Sequence, residues 1–94
     1  MEQPTHQKGY SAEVRLELRA NGQVFDLAGI GPNKFVPRVP LDLPKCDAEV
    51  VMFIDGTGYL WPVRLPNGAV PFDRAVQTSP RGEMQRLGPS IETV

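Results

Sequence analysis

The stretch Ala48 to Leu65, AEVVMFIDGTGYLWPVRL, decides the fold. It reads as two strands joined by the glycine-flanked turn Asp55-Gly56-Thr57-Gly58. The first arm carries Val50, Met52 and Ile54 on one face and Val51 and Phe53 on the other. Both faces want burial, which is the pattern of a central strand. The second arm alternates Tyr59, Trp61, Val63 and Leu65 against Leu60, Pro62 and Arg64, as a half-buried strand does. The two-sided arm has two possible fates. Its second face is buried inside the domain, with Leu41, Leu43 and Phe72 as cover, or Val51, Phe53 and Leu60 form an exposed patch that marks a partner or self-association surface.

Upstream, Ala12 to Arg19 alternates Val14, Leu16 and Leu18 with Glu13, Arg15, Glu17 and Arg19, giving a core face and a charged face. Asn21-Gly22 suits positive φ at a two-residue hairpin turn, so a second strand is expected from Gln23 to about Ala28. Gly29 to Asn33 is a breaker cluster, and Lys34 to Val39 gives a short third strand that Pro37 confines to an edge or a bulge. Pro40 to Asp47 is an extended connector with Leu41 and Leu43 as pegs onto the core. After the turn Pro66-Asn67-Gly68, Val70, Phe72 and Val76 suggest a sixth short strand or an ordered return.

Six short strands with Gly, Pro and Asn between them predict an all-β, single-domain antiparallel sandwich or barrel, connected most simply as a meander. The domain is expected over residues 11–77, between a flexible lead-in at 1–10 and a flexible tail at 78–94. A chain of 94 residues has room for one such domain, and it buries only about 60–65% of its unfolded surface. Stability should therefore rest on a few large side chains, Trp61 and Tyr59 among them.

Charge narrows the function classes. Ten Lys plus Arg against eleven Asp plus Glu leave a formal net charge of −1, so no basic field is left over for phosphates and nucleic-acid binding is disfavoured. Cys46 is the only cysteine, so no intrachain disulfide can form. The N-terminal residues have no apolar stretch and no run approaches the length that crosses a bilayer, so no membrane partner and a cytoplasmic location are expected.

Catalysis is hard to build from these residues. His6, the sole histidine, falls in the lead-in, and Cys46 lies between Lys45 and Asp47 with no base beside it in the domain. Asp55-Gly56-Thr57-Gly58 lacks the repeated oxygen ligands of a calcium loop, and Gly29 and Gly31 lack the Lys-Ser or Lys-Thr of a phosphate loop. No catalytic residue, cofactor or metal is expected. The expected function is a small non-catalytic protein-interaction or accessory module, its partner an unknown protein or a second copy of itself.

One segment points elsewhere. Asp26-Leu27-Ala28-Gly29-Ile30-Gly31, followed by an extended stretch and an apolar strand, resembles the Asp-x-Ser-x-x-Gly segment of PilZ domains. Arg15 and Arg19 have the spacing of that family's Arg-x-x-x-Arg pair, while Ala28 stands where the family has serine. The resemblance implies the alternative function, a β-barrel that binds a cyclic nucleotide, cyclic di-GMP, with Arg15, Arg19 and Asp26 near the ligand.

Overall fold

The computed structural model of the chain describes residues 14–89, and all of its regular structure there is β. Strands β1 (Val14–Ala20) and β2 (Gln23–Gly31) form the first hairpin, with Ala20 paired to Gln23. Asn21 and Gly22 have φ of 51° and 74°, the left-handed pair that a tight two-residue turn requires. Strands β4 (Cys46–Ile54) and β5 (Thr57–Leu65) form the second hairpin, closed the same way by Asp55 (φ 48°) and Gly56 (φ 86°). The turn is tighter than the glycines suggest. Thr57 and Gly58 already sit in the ladder, opposite Ile54 and Phe53.

β4 lies between β1 and β5, the central position that its two apolar faces require. The order of the sheet is β6-β3-β2-β1-β4-β5-β7, so the simple meander is replaced by a crossover. The connector after β3 (Lys34–Pro37) carries the chain past the neighbouring strands, and β4 then pairs along β1 from Val14↔Ile54 to Arg19↔Glu49. A meander would leave one hydrogen-bonding edge of β1 without a neighbour; β4 pairs with it.

The return across the core is one broken strand. Its pieces are β6 (Val76–Gln77), paired with β3, then β7 (Ser79–Pro80) and β8 (Gln85–Pro89), both paired with β5. Thr78 joins the piece on β3 to the piece on β5, and its N–H donates to the Asn33 carbonyl at 2.9 Å. The two edges of the sheet are thereby bridged, and the antiparallel sheet is nearly closed into a barrel. Near-closure leaves little edge for edge-to-edge association.

Two sequence expectations change here. β2 runs on to Gly31, beyond the expected end at Ala28, because a register shift between Leu27 and Gly29 bends it without ending it, and the turn is left to Pro32-Asn33. The ordered domain also extends past residue 77, through β7 and β8. The expected lead-in at 1–10 lies outside the described residues, as do residues 90–94.

The core fills the barrel. Leu18, Leu27, Phe35, Val50, Leu65 and Val76 are buried in it, and the connector pegs Leu41 and Leu43 close it as expected. Leu43 and Ala69 exchange two backbone hydrogen bonds of 2.9 Å, which fastens the connector to the loop after β5. That loop turns at Gly68, φ 63°, where a Cβ would sit 2.4 Å from the Leu43 carbonyl oxygen. Only glycine fits there.

Candidate interaction surface

Val51, Phe53 and Leu60, the candidate interaction surface, lie together on the outer face of the β1-β4-β5 sheet, and they are not a bare patch. Val51 is 0% and Leu60 7% exposed, and Phe53 is half-buried. Of the two outcomes open to the two-sided strand, the structure takes internal burial.

The cover is not the one expected. Leu41 and Leu43 belong to the barrel core with Val50, and Phe72 points outward. The outer face is covered instead by long side chains and by β8. The Arg15 guanidinium lies 5.2 Å from the Phe53 ring centroid, a cation–π contact. Arg19 Nε donates to the Glu17 carboxylate at 2.9 Å, and Glu17, opposite Val51 in the ladder, is itself 7% exposed. Phe53 and Leu87 of β8 meet over Gly58, where a Cβ would come within 3.0 Å of the ring and 3.1 Å of the leucine. A glycine opposite an aromatic lets the ring lie flat on the sheet.

Arg81 secures the start of this cover. Its Nε donates to the Val63 carbonyl at 2.8 Å and its Nη2 to the Ala48 carbonyl at 3.1 Å, while Asp47 Oδ1 lies 3.7 Å away. Asp47 also accepts from Arg64 Nε at 3.0 Å. The guanidinium therefore ties the segment between β7 and β8 to both strands of the central hairpin.

The most exposed large apolar side chain among the described residues lies elsewhere, in the loop between β5 and β6. Phe72 is 89% exposed, and Val70 and Pro71 beside it are exposed as well. This tip is closed by two bonds. The Asp73 N–H donates to the Val70 carbonyl at 3.0 Å, and Asp73 Oδ2 accepts from the Val70 N–H at 3.0 Å. Pro71 adds its fixed φ at the first central position of this four-residue turn. The loop behind is held by the Leu43–Ala69 bonds and by Asn67 Nδ2 donating to Gln77 Oε1 at 3.5 Å.

Alternation along Val70 and Phe72 suggests that both face inward, so sequence reasoning misses this knob. The signal that finds it is Val-Pro-Phe-Asp itself: Pro at the first central position with a side-chain acceptor after the second makes a turn, not a strand. Arg74, exposed beside Phe72, has no acidic partner among the described residues.

The remaining candidates are placed as follows. Arg15, Asp26 and Ala28 come together with Arg38 around a depression of about 400 Å³, where β1 and β2 splay apart beyond the Glu17↔Asp26 pair. Arg19 is held away from it, on Glu17. Cys46 is half-buried at the start of β4, and burial, with the Asp47 carboxylate adding to it, pushes its thiol up from the ordinary value. A less ionised thiol is a poorer nucleophile. Trp61 packs against the core half-buried, short of full burial, and Tyr59 is half-buried as well.

His6 lies outside the described residues. Among the described residues no three His, Cys, Asp or Glu side chains come together as metal ligands, and no helix is long and apolar enough to cross a membrane. No protein-family model matches the chain, and no similar chain is found among curated proteins or solved structures.

Proposed function

We propose that the protein is a small non-catalytic interaction module that docks a partner protein through the Val70–Asp73 turn, with Phe72 as the anchor. One observation carries this reading: a phenylalanine 89% exposed on a turn closed by its own hydrogen bonds. Exposing a large ring to water is unfavourable, and nothing in the fold requires it. A turn whose backbone is already closed by hydrogen bonds loses little backbone entropy on docking. Arg74 next to it supplies a residue type enriched at binding hot spots. The partner that fits is a protein surface with an apolar pocket and an acidic rim.

Site-specific photocrosslinking tests the proposal. Benzoylphenylalanine at position 72, in cells that make the protein, is expected to give one discrete crosslinked adduct. The same probe at Val24, also an exposed apolar position, is expected to give none. Absence of the adduct at 72, or the same adduct from both positions, would count against Phe72 as the anchor.

A second reading rests on the depression that gathers Arg15, Arg38, Asp26 and Ala28. Two arginines lining one seam suit a phosphate-bearing ligand, and cyclic di-GMP is the ligand that the resemblance of Asp26 to Gly31 implies. This reading predicts amide NMR shifts confined to that seam on adding cyclic di-GMP, lost in Arg15→Ala and Arg38→Ala. Unchanged spectra at millimolar nucleotide would remove it.

A further inference from the structure

The barrel is least well closed where β3 faces β5, because among the described residues these strands are bridged only by the return through Thr78. A cavity of about 360 Å³ opens at that seam, between the β2–β3 hairpin on one side and Trp61 and Val63 on the other. It lies at the low end of the size range of small-molecule pockets. We infer that this cavity is a binding site for a small aromatic carboxylate, an activity that goes beyond the docking role of Phe72.

Three features select that ligand class. The walls are apolar: Trp61, Pro32, Pro62 and Pro80 line the cavity, with Ile30 beside them. A planar hydrocarbon ring fits such walls and stacks on the indole. The half-buried state of Trp61 follows, since part of its surface faces this space and not packed neighbours.

Among the described residues, the single charged residue of the lining is Lys34. Its stem lies across Gly31, with Cγ and Cε each 3.3 Å from where a Cβ on that glycine would stand. Its ammonium has no acidic partner among the described residues. A cation on the lining of an otherwise apolar pocket favours an anionic group at the end of an apolar ligand. The ring enters toward Val50, a core residue that reaches the cavity, and the carboxylate stays at the mouth on Lys34.

The test is an amide NMR titration of the full chain with 2-naphthoate and, in parallel, with 2-naphthylmethanol, its neutral counterpart. Trp61, the only tryptophan, supplies one indole N–H signal inside the site. Shifts of that signal and of the Ile30–Lys34 amides are expected, with a Kd of about 1 mM or tighter for naphthoate, as ordinary ligand efficiency gives for roughly 13 non-hydrogen atoms. Lys34→Gln, an exposed change, should weaken naphthoate roughly fivefold, the scale of a solvent-exposed ion pair, and leave naphthylmethanol unchanged. Thr78→Phe fills the cavity and should abolish both sets of shifts.

Three results would overturn the inference. One is no shift at 10 mM, roughly tenfold above the expected Kd. Another is equal loss of both ligands in Lys34→Gln. The third is cavity shifts that track protein concentration alone and vanish in Phe72→Ser, which would make the occupant the Phe72 turn of a second copy.

Discussion

Two apolar surfaces of this molecule are built in opposite ways. On the outer face of the central hairpin, Val51 and Leu60 are buried although they point away from the barrel core. In the loop after β5, Phe72 stands in water although the loop behind it is pinned to the core. The first surface is apolar and covered by its own chain, through Arg15, Arg19 and β8; the second is apolar, carried on a hydrogen-bonded turn and bare. The difference separates stability from recognition. Apolar residues that a fold covers hold it together, and an apolar residue that the fold fixes in the open is available to a partner.

Breaking the covered side should be the most damaging change. Val51→Asp places an unpaired carboxylate at a fully buried position beside Glu17 and is expected to cost at least about 3 kcal/mol, leaving little folded protein by circular dichroism. Trp61→Ala tests the edge of the core. Because the ring is half-buried, a loss of about 2 kcal/mol in a denaturant titration is expected, below the ~3–5 kcal/mol of a fully buried aromatic. Gly58→Val sharpens the comparison by pushing Phe53 and Leu87 apart over the strand, at about 1–2 kcal/mol. Folding that is indifferent to Gly58→Val would mean that β8 does not cover this face.

Two smaller effects concern exposed and half-buried groups. Phe72→Ser should leave the stability within about 0.5 kcal/mol in a denaturant titration, because the ring it removes is exposed. The raised thiol of Cys46 gives a pH effect of definite sign. A group whose proton is held more tightly in the folded chain than in the unfolded one adds stability below its unfolded pKa. That contribution is lost as pH rises through the folded pKa. Cys46 should accordingly react with iodoacetamide at pH 8 more slowly in the folded protein than in urea, and stability should decline at more alkaline pH.

Much of this was legible in residue order. The hairpin from Ala48 to Leu65 and the first one around Asn21-Gly22 are local, because period-two alternation and left-handed turn residues act over neighbours. The buried second face of β4 was legible as a demand, and its cover was not. Leu87 meets Phe53 from 34 positions away, and β8 has Pro89, Gly88 and no clean alternation. It is a strand because the open edge of β5 supplies hydrogen-bond partners, which no window of its own sequence displays. The crossover that sets β4 beside β1 is likewise non-local.

The Phe72 knob was legible in principle. Period-two spacing placed it inward, and the turn chemistry of Pro71 and Asp73 prevails over that spacing because it fixes the backbone first. The cavity was not legible at all. It exists only where the return through Thr78 fails to close β3 onto β5.

The comparison is tested most directly by thermal unfolding of Leu60→Asp and Phe72→Asp side by side. The same charge is added to two apolar positions, one 7% and one 89% exposed. Leu60→Asp is expected to lower Tm by about 12 °C or more or to abolish the transition, and Phe72→Asp to stay within about 3 °C of the parent. Similar losses from both substitutions, or a Leu60→Asp protein that melts like the parent, would contradict the division into a covered surface and a presented one.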